Sequence, residues 1–100
     1  MRFKMDDGTV LDTANATRTW EEERDSNGSN RIGRLSGSQW TWQELHRSRK
    51  GRYYTTQTSQ WQGSTPHAEW VSPQEAARWL MMNDDSLPEE LEKYEEALTE

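Results

Sequence analysis

Glu44 and His46 stand two residues apart, a spacing that puts both side chains on one face of a β-strand. There a carboxylate beside an imidazole can move a proton as a general acid–base pair. The same two residues fit better flanking an aromatic cluster or meeting solvent. Asp6-Asp7 and Asp84-Asp85 offer adjacent carboxylates to a cation, but each suits its local setting better, a turn and a helix lead-in respectively. Gly33-Arg34-Leu35-Ser36-Gly37-Ser38 lacks the lysine and the strand-to-helix context of a phosphate-binding loop. Ser, His and Asp all occur, yet no nucleophile-elbow signature gathers them. The residues able to do chemistry do not assemble into a reaction, and the expectation is a protein that is not an enzyme.

Metal chemistry is equally thin. The chain has no Cys, which removes disulfides, thiolate zinc sites and cysteine nucleophiles together. His67-Ala68-Glu69 has the His-x-Glu of zinc deaminases, but the Pro-Cys-x-x-Cys that completes that site cannot exist here. His46 and His67 lack flanking ligands at metal-binding spacing. No metal and no cofactor is expected.

Charge distribution carries more. The net charge is −6, but residues 31–68 hold six basic side chains and one acidic, whereas residues 69–100 hold two basic and ten acidic. The basic excess concentrates in Arg47-Ser48-Arg49-Lys50-Gly51-Arg52-Tyr53-Tyr54. Arg47, Arg49, Lys50 and Arg52 at a hairpin tip, with Tyr53 and Tyr54 beside them, could grip a phosphate backbone and stack a base. A solvated turn that discourages edge-to-edge aggregation is the other reading of the same residues. The acidic excess forms a strip of Asp84, Asp85, Glu89, Glu90, Glu92, Glu95, Glu96 and Glu100. Such a strip is either a solubilising helix face or a surface for a basic protein groove, of which Asp84, Asp85, Glu89, Glu90, Glu92 and Glu96 would be the contact residues.

The elements that must position these groups can be read from pattern. Arg2 to Met5 and Thr9 to Asp12 flank Asp6-Asp7-Gly8 as a β-hairpin, and Thr17 to Arg24 reads as a third strand. Its Glu21-Glu22-Glu23 run fits an exposed strand end or a short helix. Asp25 to Ser38, rich in Gly, Ser and Asn, reads as a long loop anchored by Ile32 and Leu35. Trp40 to Ser48 and Arg52 to Trp61 form a second hairpin around Lys50-Gly51. A two-residue loop there pairs Trp40 with Trp61 and puts Trp42 on the face of Tyr53; a slip of one residue would exchange the faces. Ala68 to Val71 is a last short strand.

Two helices close the chain. Ser72-Pro73-Gln74-Glu75 is a capping box with proline at the first helical position, opening a helix to about Met82 with Asn83 in the left-handed terminal position. Ser86-Leu87-Pro88-Glu89 opens the next, whose Leu87, Leu91, Tyr94 and Leu98 make one apolar stripe. Strands followed by helices indicate α+β: an antiparallel sheet of both hairpins plus the short last strand, with two C-terminal helices packed on one face. One domain is expected over residues 1–100, mainly β over 1–71 and helical over 72–98.

Aliphatic residues are scarce, seven Leu, two Val and one Ile, at a level associated with disorder when net charge is high. Six Trp and three Tyr change that. A buried Trp removes roughly 200 Å² from water, worth up to about 5 kcal/mol at about 25 cal/mol/Å². The core is expected to be aromatic and small. No apolar run suits a signal peptide or a membrane span, so a cytoplasmic location and no membrane partner are expected.

The stretch Glu44-Leu45-His46-Arg47-Ser48 through Gly51-Arg52-Tyr53-Tyr54, followed by Pro73-Gln74-Glu75-Ala76-Ala77-Arg78-Trp79, resembles short bacterial proteins carried on plasmids and phages. There an Arg-Ser/Thr-x-x-Gly-Arg-Tyr hairpin precedes a Pro-Glu-Ala-type helix. The resemblance covers roughly residues 40–80 and brings no family activity with it. In size and acidity the chain is also similar to anti-CRISPR and other anti-defence proteins, a likeness of type without a shared motif. The resulting expectation is a non-enzymatic interaction protein, an inhibitor of a bacterial nucleic-acid-handling complex of the CRISPR type acting through charged surfaces. The alternative is a small nucleic-acid-binding protein using the basic hairpin.

Overall fold

The computed structural model describes residues 2–5, 7–27, 30–33, 41–59 and 66–98. The first hairpin pairs β1 (Arg2–Lys4) with β2 (Val10–Asp12), setting Phe3 opposite Leu11. Its turn is closed by Met5 N–H donating to the Thr9 carbonyl (2.8 Å) and Gly8 N–H donating to the Met5 carbonyl (3.0 Å). Gly8 sits at φ +86°, a conformation open mainly to glycine.

A four-stranded antiparallel sheet forms the centre, ordered β3 (Arg18–Glu21), β6 (Thr41–Arg47), β7 (Tyr53–Ser59), β8 (His67–Val71). Between β3 and β6 in sequence, β4 (Arg24–Asn27) and β5 (Asn30–Gly33) pair as a separate two-stranded ribbon. Part of the expected loop over Asp25 to Ser38 is therefore extended and paired. Ser26 and Asn27 against Asn30 and Arg31 satisfy their backbone groups in a ladder without needing apolar side chains. The anchoring expected of Ile32 and Leu35 falls on side chains outside the described residues.

The β6–β7 turn repeats the geometry of the first hairpin. Ser48 N–H donates to the Arg52 carbonyl (2.7 Å), Gly51 N–H donates to the Ser48 carbonyl (2.9 Å), and Gly51 lies at φ +89°. Three residues, Arg49 to Gly51, make the loop, so Arg47 pairs with Tyr53 and Trp42 with Thr58. This corrects the register expected from a two-residue loop by one position. Trp42 consequently shares a face with Tyr54, not Tyr53. Trp40 and Trp61 lie outside the described residues.

Both sheet faces are covered. On one side Trp20, Leu45 and Tyr53 meet α1 (Pro73–Met82) through Ala76, Ala77, Trp79 and Leu80, and meet the last segment through Leu91. The capping box of α1 is complete: Ser72 Oγ accepts from Glu75 N–H, and the Glu75 carboxylate accepts from Ser72 N–H. The final segment begins as a short 3₁₀ turn (Glu89–Leu91) before α2 (Lys93–Leu98). Leu87 and Tyr94 pack beside buried Leu91, as the apolar stripe requires.

On the other side, Phe3, Met5 and Leu11 of the first hairpin cover Tyr54, Ala68 and Trp70. The two hairpins thus stack face to face where pairing into one sheet was expected. β6 already has β3 and β7 as neighbours and β7 has β6 and β8, so the apolar row of the first hairpin is buried by lying over the sheet. Asn83 departs from expectation as well. Its φ is −88°, and the left-handed position belongs to Asp84 at φ +59°. Asn83 is fully buried, with its side chain committed elsewhere.

Candidate functional site

His46 lies on the β3–β6–β7 face opposite the helices, buried and stacked on Tyr54. Nδ1 is 2.9 Å from Thr19 Oγ1 and Nε2 is 2.9 Å from Thr56 Oγ1. Burial lowers its pKa to about 4, so at neutral pH the ring is uncharged, donating from one nitrogen and accepting at the other. Glu44 stands 3.8 Å from Nε2, too far for a hydrogen bond. Its pKa is raised by burial and by neighbouring Glu21. Glu44 and His46 do share a face as expected, but both ring nitrogens are already engaged by threonines. Among the described residues, no three His, Asp or Glu groups gather as a metal would require.

The basic hairpin divides into an engaged half and an open half. Tyr53 and Tyr54 are both buried, one under each covering layer, so neither presents a ring face to a base. Tyr53 Oη donates to Glu90 Oε1 at 2.7 Å. Burial, reinforced by that carboxylate, pushes its phenol up to about 12, while the same bond holds Glu90 below the usual carboxylate range. Arg47 Nε lies 3.2 Å from Glu90 Oε1 but off line for a hydrogen bond, and its Nη1 donates to Thr17 Oγ1 at 3.2 Å. Arg52 lies over the Trp70 ring at 3.7 Å from its centroid. Asp7 Oδ2 stands 3.9 Å from Arg52 Nη1 and accepts from Trp70 Nε1 at 3.2 Å. Arg49 and Lys50 alone of these cations are exposed and make no hydrogen bond or ion pair among the described residues.

The acidic strip follows a different logic. Glu90 is latched onto Tyr53 and Arg47, and Asp85 accepts from Asn83 Nδ2 at 2.6 Å. Glu89, Glu92 and Glu96 are exposed without an ion pair among the described residues. Asp84 is exposed at the turn after α1. The buried amide of Asn83 ties the end of β3 to the same region. Its Oδ1 accepts from Glu23 N–H (2.6 Å) and its Nδ2 donates to the Glu21 carbonyl (2.9 Å). The end of β3 is thereby pinned beside Asp85, which brings exposed Glu23 near the end of α1, whereas the Glu21 side chain points to the opposite sheet face, where it raises the pKa of Glu44. Glu22, between them, turns inward and accepts from Gln43 N–H at 3.0 Å.

Sequence reasoning missed Asn83 as the residue that ties the end of β3, with Glu23, to the end of α1. Asn83 offered the only local clue, an amide at a helix end, and the clue also suited a left-handed cap. Trp70 was missed for another reason: its place beside Arg52 follows from its pairing with Tyr54 across β7–β8.

Comparison of the chain with protein-family models, with curated proteins and with solved structures finds no match. Among the described residues, no helix is long and apolar enough to cross a membrane.

Proposed function

We propose that this protein works by binding a protein partner through its anionic rim, and that the partner presents a basic groove of the kind that holds nucleic acid. The observation carrying this reading is the run of exposed carboxylates Glu89, Glu92 and Glu96, which make no ion pair among the described residues, with exposed Glu23 held near Asp85 by the Asn83 clamp. These carboxylates stand on a protein of net charge −6. Long-range attraction then favours a cationic protein over a nucleic acid. Occupying such a groove would exclude the nucleic acid it serves, which makes inhibition the natural outcome, in the cytoplasm. Direct nucleic-acid binding by the hairpin draws less support, since Tyr53 and Tyr54 are buried and Arg47 and Arg52 are engaged.

The test is a pull-down from bacterial lysate with and without nuclease, followed by kinetics on the recovered protein. Converting Glu89, Glu92 and Glu96 to Gln is expected to slow association at low salt by about tenfold and to leave the melting temperature in place. The difference should shrink as salt rises, because exposed charges are screened beyond about 8–10 Å. Duplex DNA is expected to compete with the protein for its partner. Association unchanged by the triple substitution at low salt would end this reading.

A further inference from the structure

A cleft of about 310 Å³ opens on the side of the sheet away from the helices, where the first hairpin and the short 3₁₀ turn (Thr13–Asn15) meet the tip of the β6–β7 hairpin. That volume stands at the small end of the range for organic ligand sites, roughly 300–1,000 Å³. Its wall combines two chemistries. Arg49, Lys50 and Arg52 supply positive charge, and Trp70 with Val10 supplies aromatic and apolar surface. Val10 is 57% exposed, one of two large apolar side chains left in solvent among the described residues.

Three of the polar groups at the mouth are uncommitted. Arg49, Lys50 and the amide of Asn15 make no hydrogen bond or ion pair among the described residues. Arg52 is held in place by its stack on Trp70, so its charge is oriented before any ligand arrives. One carboxylate, Asp12, lines the cleft, but it accepts from Ala14 N–H at 3.0 Å and faces Arg2 at 3.8 Å. Arg52 is also faced by Asp7 at 3.9 Å, so Arg49 and Lys50 are the unanswered charges that make this a local positive site on an anionic protein.

From this we infer that the cleft binds a small phosphate monoester carrying a flat or apolar body, of the size of a nucleoside monophosphate. The phosphate meets Arg49 and Lys50, with the Asn15 amide as a further donor, and the body lies against Trp70 and Val10. Cations alone would hold inorganic phosphate, and the apolar wall alone would hold a neutral ring. The combination selects a molecule with both. The site is separate from the anionic rim and does not depend on the function proposed for it.

Titration of the ¹⁵N-labelled protein with adenosine 5′-monophosphate, adenosine and inorganic phosphate in parallel tests the inference. The nucleotide is expected to shift the Trp70 indole and Asn15 amide signals saturably, and to bind at least about tenfold more tightly than either half. Arg49→Glu with Lys50→Glu, both exposed, should keep the wild-type melting temperature and lose at least about tenfold in nucleotide affinity. A 5′-phosphorylated trinucleotide distinguishes sources of the same chemistry: equal binding extends the site to strand ends, and exclusion confines it to free nucleotides. Phosphate binding as tightly as the nucleotide, adenosine binding as tightly as the nucleotide, or no shift at Trp70 with the fold intact would each overturn the inference.

Discussion

The His46 imidazole lies nearly flat on the Tyr54 ring, with centroids 4.8 Å apart and planes within 16°. The pair occupies the sheet face away from the helices, and each member carries a polar group that burial makes costly. For His46 the cost is met by Thr19 and Thr56, one on each nitrogen. For Tyr54 it is not met, since its hydroxyl is buried with no hydrogen-bond partner among the described residues.

The histidine predicts a pH dependence of stability. Its folded pKa is lowered from 6.5 to about 4, because burial disfavours the charged ring. As pH falls below 6.5 the unfolded chain takes up a proton that the folded chain refuses until about pH 4. Stability is therefore fully present above 6.5 and is lost between 6.5 and 4, by an amount of the order of 3 kcal/mol. Urea denaturation of wild type and His46→Gln across this range checks it. The difference between them should shrink as pH falls, and a difference independent of pH would refute it.

Tyr54→Phe is expected to stabilise the protein. The substitution keeps the stack on His46 and the edge contact with Trp70 and removes only the unpartnered hydroxyl. Leaving a buried polar group unsatisfied costs about 1–3 kcal/mol. A gain of about 1 kcal/mol should raise the melting temperature by roughly 4–8 °C in a domain of this size. A lower melting temperature would show that the hydroxyl is satisfied.

Asn83→Ala should be severe for a single truncation at a helix end. It removes three side-chain hydrogen bonds and strips the Glu23 N–H and the Glu21 carbonyl of their partner. The expected loss is about 2–4 kcal/mol, read as a lower urea midpoint with unchanged slope. Asn83→Asp should be no milder, because it sets a carboxylate beside Asp85. A loss below about 0.5 kcal/mol would mean the clamp contributes little.

Trp79→Ala should cost about 3–5 kcal/mol, a large share of the stability of a domain this small. Trp79 is buried in the cluster with Trp20, Leu45 and Tyr53. A calorimetric melting temperature within a degree of wild type would contradict the packing described.

How much of this could be read in advance depends on how local the signal is. The α1 boundaries were legible because Ser72, Pro73 and Glu75 act within one turn of each other. The first hairpin was legible for a similar reason: Gly8 ends a short turn between two apolar rows. The register of the second hairpin was not, because Lys50-Gly51 suits two turn types and only the Ser48–Arg52 closure selects between them. Burial of adjacent Tyr53 and Tyr54 requires cover on both faces, which no strand pattern reveals by itself. The acidic helix residues were visible as composition. The placing of Glu23 near Asp85 depends on one buried amide reaching about sixty positions back along the chain.

The strand order β3-β6-β7-β8 has a kinetic consequence. β6, β7, β8 and α1 follow one another in sequence, so each pairs or packs with elements close along the chain and closes short loops. β3 and the first hairpin must arrive from far upstream, at a larger entropic cost of closure. Residues 41–82 are therefore expected to form the folding nucleus, with β3 and the hairpin docking afterwards. In stopped-flow measurements, truncating Leu45 or Leu80 should slow refolding, whereas truncating Phe3 or Trp20 should mainly accelerate unfolding. The clamp of Asn83 on the end of β3 would then be among the last contacts to form, completed only when β3 seats against β6.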